Sequence, residues 1–591
     1  MQRFIEQSPP VIIKPERSES GCINVFYQFF IPENTTRRIE ICNCLRRNIE
    51  NPHIDNIYLM NERIYTAQEL GCESEKIHQH NIGRRMRFSD FFQYAQNQSI
   101  EGYNILINAD IFFDPDIDKL RYSDIDVSKK VFAQLRYEYR GETNLQLCNL
   151  FGSKEFYIKQ HKMNNPGVPL PLDIEQYRFR CRADSMDTWI IHSSNKLSKK
   201  EIRLFRFELG TPACDNKFIY LFRLLGYDIY NDPHFLRTYH HHSSTERAYT
   251  SKDRLPSPWM LLLPAGFPYT DSRLSLGINI PVLGATPKIF TIYHFTECNR
   301  TLGRYIGEKC TTNTPFIIPR IAGCENECAM AGALIQKGVM SSSVFSSSGV
   351  LVRLQQTMKN NAGIKITTYP SMIKYAKKYH AAFDACEHYL SWEPWGDVYK
   401  WIENSHKYIE SEYPNKTCIW ALAMDIYHYV YNNPWTRSLR GSRLLIISPF
   451  AESMERKVPH LKEIYGVDLF PDCTFLFVKP PQTQGGQHSQ EWSIELDNFC
   501  DTLREIKDDF DVALCSCGGY GNPVCSFIYS KLNKSAIYVG GVLQMYFGIY
   551  GERWLRERKD ILTLFMNQRW NRPSATERPI DSKNIENSCY W

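Results

Sequence analysis

YNILINADIFFD, residues 103–114, decides how this chain is read. Ile105, Leu106 and Ile107 form an apolar run that predicts a buried strand, and it gives way to Asp110 and Asp114. Carboxylates at the end of a core strand are costly without partners, and oxygen-preferring divalent cations are natural ones. A strand ending in aspartate also begins many ordinary turns, so the surrounding segments have to discriminate.

Upstream, residues 23–30 alternate as a first strand. Residues 36–49, TRRIEICNCLRRNI, carry Ile39, Ile41, Leu45 and Ile49 at helical spacing, and residues 54–60 read as a second strand. This β–α–β order predicts a parallel sheet in an α/β domain, whose ligands bind beyond the carboxyl ends of the strands. Asn61 and Glu62 lie at one such end, Asp110 and Asp114 at another.

Three segments follow the Asp110 strand. In SMDTWIIH, 185–192, Asp187 and Trp189 open an apolar strand. In LGTPACDNKF, 209–218, a Gly/Pro turn delivers Asp215 and Asn216 to the front of a helix, where an aspartate also serves as an ordinary cap. The third segment, 229–247, carries His240, His241 and His242, of which one or two can face a single metal from a strand.

Composition bounds the function. At 591 residues two or three domains are expected. A net charge of +5 with 23% charged residues argues against a general nucleic-acid binder. The 35 Tyr and 11 Trp suit stacking on sugars and bases, and equally an aromatic core. Nineteen scattered cysteines show no zinc or disulfide framework. The N-terminus lacks an apolar signal core, and no run reaches membrane-spanning length. A soluble protein of the cytoplasm or another reducing compartment is the expectation, with the sequons at Asn34 and Asn415 incidental.

The second half alternates helices and strands again, with strands expected at 443–448, 474–479, 511–516 and 535–539. DVALCSCGGYGNP, 511–523, reads as a buried strand and a glycine-rich turn opening a helix, either a phosphate cradle or a tight turn. A second strand ends in Gly540-Gly541, followed by Gln544, Arg553 and Trp554. The serine-rich 341–349 reads as a loop.

Taken in order, INVFYQFF, NIYLMNE, GRRMRFSDFF, INADIFFD, DSMDTWIIH, LGTPACDNKF, GYDIYNDP and the histidine cluster resemble a GT-A-type glycosyltransferase domain of bacterial and large-virus polysaccharide pathways. That resemblance implies Mn²⁺ or Mg²⁺ at Asp110, with Asp114 assisting or stabilising the turn, and His240 or His242 closing the metal site. It puts Arg85 and Asn108 on the donor, Asp187 and Trp189 in the sugar pocket, and Asp215 as the base of an inverting transfer. Asp114 stands four positions after Asp110, a departure from a strict D-x-D.

Residues 300–560 resemble GT-D-type glycosyltransferase domains. Gly518, Gly519 and Gly521 would then lie at the phosphates, and Gly540, Gly541 and Gln544 near the sugar or base. Glu325 and Glu327 would bind the metal, although the family aspartate is absent from the stretch Arg320 to Glu325.

The expected organisation is a flexible lead (1–20), a GT-A-like domain (21–250), a connector (251–300), a GT-D-like, Rossmann-type domain (301–565) and a tail (566–591). The expected function is a bifunctional glycosyltransferase moving sugars from UDP-, GDP- or dTDP-linked donors to a growing glycan. The alternatives are one active N-terminal domain with a non-catalytic C-terminal module, a carbohydrate-binding protein without turnover, and a metal-dependent phosphohydrolase or nucleotidyltransferase.

Overall fold

The computed structural model describes residues 3–18, 21–127, 129–139, 145–147, 183–233, 235–243, 250–265, 291–292, 294–339, 349–392, 405–481, 490–579, 582–585 and 588–591. The chain is mixed α/β and divides into two units, Met1–Ile280 and Pro281–Trp591. The division falls inside the expected connector. The serine-rich 341–349 lies, but for Gly349, outside the described residues.

The first unit is built on a seven-stranded sheet in the order Asp228–Tyr230, Lys130–Leu135, Met186–His192, Tyr103–Ile107, Ile23–Tyr27, Asn56–Asn61, Ile77–Asn81. The Ile23, Asn56 and Tyr103 strands run parallel, as the β–α–β pattern requires, whereas Met186–His192 is antiparallel to both neighbours. Tyr103–Ile107 and Ile23–Tyr27 are buried along their whole length. Burial on both faces suits the apolar run Ile105–Ile107, whereas the alternation expected over 23–30 does not hold for Ile23–Tyr27.

The helix expected over 36–49 is Thr35–Glu50, capped by Asn34, whose side chain accepts the amide of Arg37 at 3.0 Å. Its buried face holds the expected Ile41 and Leu45 but departs from the expectation elsewhere. Ile39 is 62% exposed, whereas Glu40 and Asn48 are buried. Asn48 is buried because it continues the backbone ladder of a neighbouring strand: its Nδ2 donates to the Ile111 carbonyl and its Oδ1 accepts the Phe113 amide. Hydrophobic spacing cannot reveal a face that buries polar groups against partners.

A smaller sheet, in the order Ile111–Phe113, Thr238–His240, Tyr137–Tyr139, Leu145–Leu147, stands beyond the carboxyl end of the Tyr103 strand. Residues 1–20 are not simply a flexible lead. Arg3–Gln7 is a strand paired in parallel with Trp259–Leu263, which draws part of the expected connector into the first unit.

The second unit holds a five-stranded parallel sheet in the order Ile317–Ile318, Ser535–Tyr538, Val512–Cys515, Arg443–Ile447, Thr474–Val478. All four strands expected from the sequence are in it. A three-stranded parallel sheet, Thr291–Ile292, Thr417–Trp420, His388–Ser391, adds to the unit. The expected tail is instead packed into this unit: Trp570 is buried with its indole donating to the Ile464 carbonyl, and Ile585 and Cys589 are buried. Isolated aromatics in a charged, proline-bearing stretch give no periodic signal.

Packing accounts for two of the three glycines of the 511–523 turn, and the third, Gly518, adopts a φ of +52°. A Cβ on Gly519 would lie 2.3 Å from Ile364, and one on Gly521 2.4 Å from the Tyr538 ring. The hydroxyls of Tyr538 and Tyr375 donate to the carbonyls of Gly518 and Gly519. Gly521→Ala is therefore expected to destabilise the second unit by roughly 1–3 kcal/mol through overpacking. A urea midpoint unchanged from the parent would contradict this packing.

Candidate functional site

The small sheet assembles the site. Ile111–Phe113 pairs antiparallel with Thr238–His240, so His240 lies opposite Ile111 and next to Asp110; the His241 amide donates to the Asp110 carbonyl at 2.9 Å. On its other edge the histidine strand pairs with Tyr137–Tyr139, which sets His240 opposite Glu138. Side chains two apart share a face of an extended chain. His240 and His242 therefore turn to Asp110, and His241 turns away to accept from Asn43 Nδ2 at 3.3 Å.

Asp110, 5% exposed, is the centre of this cluster. Its Oδ2 accepts from Arg37 Nη2 at 2.5 Å, His240 Nε2 at 3.1 Å and His242 Nδ1 at 3.2 Å. Its Oδ1 is buried and has no partner among the described residues. Burial alone would raise the Asp110 pKa, but His240, His242 and Arg37 hold it well below the usual carboxylate range. Burial and Arg136 act to lower the pKa of His240, yet Asp110 and Glu138 on its two ring nitrogens leave it above its ordinary value.

The Asp110, His240 and His242 ligand atoms lie within 4.8 Å of one another, and no second group of this kind occurs among the described residues. Ligands about 2.1 Å from an octahedral ion stand about 3 Å apart along each edge. The two Asp110–histidine separations, 3.1 and 3.2 Å, fit that spacing, and the orphaned Oδ1 gives a cation a further oxygen.

Polar contacts continue outward from the cluster. Glu138 accepts from His240 Nδ1 at 2.8 Å and from Arg136 Nε at 3.0 Å. Arg136 also pairs with Asp187, whose other oxygen accepts from Asn108 Nδ2 at 2.7 Å. On the far side Glu40 accepts from Arg37 and from the Ser243 amide and hydroxyl.

In front lies a cleft of about 1030 Å³ whose walls include Arg37, Arg85, Arg136, Arg254, Asp184 and Asp215. Glu62, at the carboxyl end of the Asn56 strand, also lines it. Asp215 stands in the first turn of the Cys214–Leu224 helix, behind a turn in which Gly210 and Ala213 adopt φ of +73° and +68°. It does not cap the helix; its Oδ2 accepts the Met186 amide at 3.3 Å. Burial, reinforced by the charge of Asp184, raises its pKa to about 7. A helix N-terminus normally favours an ionised aspartate, so desolvation wins here.

Several expected residues sit elsewhere. Asp114 is outside the metal cluster: it accepts from the Asp116 amide, the Tyr239 hydroxyl and Arg237, and so stabilises the turn. Trp189 is corrected from the sugar pocket to the core, fully buried against Phe88 and Phe218. The reason is a register shift between Met186 and Thr188, a bulge that sends Asp187 to the cleft and breaks its expected kinship with Trp189. Arg85 lines the cleft, with its guanidinium donating to the Leu209 carbonyl.

In the second unit Gly540 is filled by the Arg320 guanidinium and Gly541 by the Tyr590 ring. Gln544 is buried, with Nε2 donating to the Tyr590 carbonyl. Glu325 and Glu327 are buried on the Gly323–Gln336 helix and belong to no metal-ligating group among the described residues.

Sequence reasoning missed Arg37, Glu40, Arg136, Glu138, Asp184 and Arg254. The one local signal was Arg136-Tyr137-Glu138, charges directly after the apolar Lys130–Leu135 strand. Among the described residues many of the aromatics lie in the cores, and Phe30 is the one Phe, Tyr or Trp in the cleft wall.

Fold and site together define an α/β protein with an arginine-lined, carboxylate-bearing cleft over a His₂Asp cluster. Neither a scan of protein-family models nor a search of curated proteins returned a match to this chain. Among the described residues no helix is long and apolar enough to cross a membrane.

Proposed function

We propose that the first unit is a metal-dependent glycosyltransferase using a nucleotide-sugar donor and a glycan acceptor. The observation that carries this reading is one cleft holding both requirements of the reaction: a cation cluster at Asp110, and a buried carboxylate, Asp215, with a pKa of about 7. The GT-A-type resemblance places its metal-binding carboxylate at the end of a central buried strand, and Asp110 stands there.

Asp110, His240 and His242 would hold the ion, which when bound neutralises the departing diphosphate. Arg37, Arg85, Arg136 and Arg254 line the cleft where a diphosphate and its sugar would lie, and a planar guanidinium suits phosphate oxygens. Asp187, fixed by Asn108 and Arg136, would accept from sugar hydroxyls. Asp215 would take the proton of the acceptor hydroxyl as its oxygen attacks the anomeric carbon, an inverting displacement.

For the second unit we favour a non-catalytic acceptor-binding or scaffold role over a second transferase. Gly519, Gly521, Gly540 and Gly541 are explained by contacts with Ile364, Tyr538, Arg320 and Tyr590, which takes most of the support from the phosphate-cradle reading. A reducing, cytoplasmic setting fits the free cysteines, among which no disulfide forms within the described residues.

Nucleotide release from UDP-, GDP- and dTDP-sugars with Mn²⁺ and mixed glycan acceptors tests both statements. The expected result is one active donor, lost on chelation and indifferent to Glu325→Gln/Glu327→Gln. A second donor silenced only by that double variant would restore the bifunctional reading. No turnover with any pair would remove the transferase reading.

A further inference from the structure

The resemblance leaves Mn²⁺ and Mg²⁺ equally open, but the donor atoms do not. Mg²⁺ and Ca²⁺ are hard ions held by oxygen, and Mg²⁺ in particular relies on carboxylates and retained water. Imidazole nitrogen instead suits first-row transition ions. Here two of three converging ligands are imidazoles, and Asp110 is the one carboxylate among them. Its charge is already shared with Arg37 at 2.5 Å. Asp114, which would have added a second carboxylate, is taken up by Tyr239, Arg237 and the Asp116 amide.

The outer contacts point the same way. A ligating histidine ordinarily gives its other ring nitrogen to a carboxylate, which fixes tautomer and ring orientation. Glu138 occupies that position on His240 at 2.8 Å, and is itself steadied by Arg136 at 3.0 Å. His242 presents Nδ1 rather than Nε2 to Asp110, so the two imidazoles approach through different nitrogens. This arrangement favours an ion that accepts nitrogen ligands.

We infer that the Asp110–His240–His242 site selects a first-row transition ion (Mn²⁺, Fe²⁺, Co²⁺ or Zn²⁺) and rejects Mg²⁺ and Ca²⁺, with Glu138 as the positioning residue that sets affinity through His240. This rests on the reading of the cluster as a metal site, and it narrows that reading from divalent cations to nitrogen-accepting ones. Affinity should rise from Mn²⁺ to Co²⁺, with Zn²⁺ also tighter than Mn²⁺.

The test is direct binding to the metal-free full chain, independent of turnover. Mn²⁺, Co²⁺, Zn²⁺, Mg²⁺ and Ca²⁺ chlorides are titrated calorimetrically, and bound Co²⁺ is followed by its visible absorption. One ion per chain is expected for the first three, with Mg²⁺ in about a hundredfold excess failing to displace Mn²⁺. Glu138→Gln should weaken Co²⁺ binding by about 10–100-fold and alter its absorption band, while the circular dichroism stays that of the parent. His241→Ala, on the opposite face, should bind as the parent does.

Displacement of Mn²⁺ by that excess of Mg²⁺ would overturn the selectivity and leave a metal site standing. Parental Co²⁺ affinity and spectrum in Glu138→Gln would overturn the positioning role. Failure of every ion to bind would overturn the metal site itself, and the proposed function with it.

Discussion

Asp215→Asn is expected to cripple the proposed sugar transfer and, at the same time, to make the protein more stable above neutral pH. The two effects share a cause. The carboxyl is buried near Asp184 and Asp187, and its pKa stands at about 7 against an ordinary 3.8. Well below pH 3.8 it is protonated whether the chain is folded or not, so it contributes no pH dependence there. Between about 4 and 7 the unfolded chain releases the proton and the folded chain retains it, so stability falls as pH rises across that window. Above 7 the loss is complete, on the order of a few kcal/mol.

Asparagine stays neutral throughout and keeps an oxygen for the Met186 amide, so the variant escapes this loss. Its melting transition should match the parent near pH 4 and exceed it at pH 8. Transfer should fall by about 10²–10⁴-fold, the usual worth of a general base, while donor binding persists. In the parent the pH profile should rise through about 7 as Asp215 ionises. Full transfer activity in Asp215→Asn would remove it from the proton path. Equal melting at both pH values would show that its burial carries no ionisation cost.

Asp110→Ala should have the opposite sign in stability and the same sign in activity. It removes the carboxylate on which Arg37, His240 and His242 converge and leaves Arg37 to Glu40 and His240 to Glu138. Breaking a buried pair from one side costs roughly 3–5 kcal/mol, and these remaining carboxylates hold the loss to the lower part of that range. Asp110→Asn narrows that loss, because it keeps the shape and an acceptor oxygen while removing the charge that holds a cation. Both variants should lose metal-dependent nucleotide release, and the alanine, which loses the acceptor as well as the charge, should melt earlier than the asparagine. Metal-dependent release surviving in Asp110→Asn would place the ion elsewhere.

Much of the first unit was legible because its strands are long apolar runs with turns between them. The Ile23, Asn56 and Tyr103 strands, the Thr35–Glu50 helix and the four strands of the second sheet all follow from that patterning. Asp110, Asp187 and Asp215 were visible as carboxylates at the ends or starts of such runs. Arg37 and Glu40 were not, because they sit within a helix whose sequence gives no reason to favour them over Arg38 or Glu50. Ile39 was misplaced for the same reason: the helix buries Glu40 and Asn48 against a neighbouring ladder, and spacing rules count only apolar residues.

The sequence by itself determined the α/β class, the parallel start of the first sheet, the strands of the second and the carboxylates beyond the strand ends, since each depends on local periodicity and burial. Only the tertiary structure decided which of them meet. His240 reaches Asp110 because two strands far apart in the chain pair at one register, and a slip of one residue would present His241 in its place. A single bulge turned Asp187 to the cleft and left Trp189 in the core. Register and bulge are properties of strand pairs, and no single segment of sequence carries them.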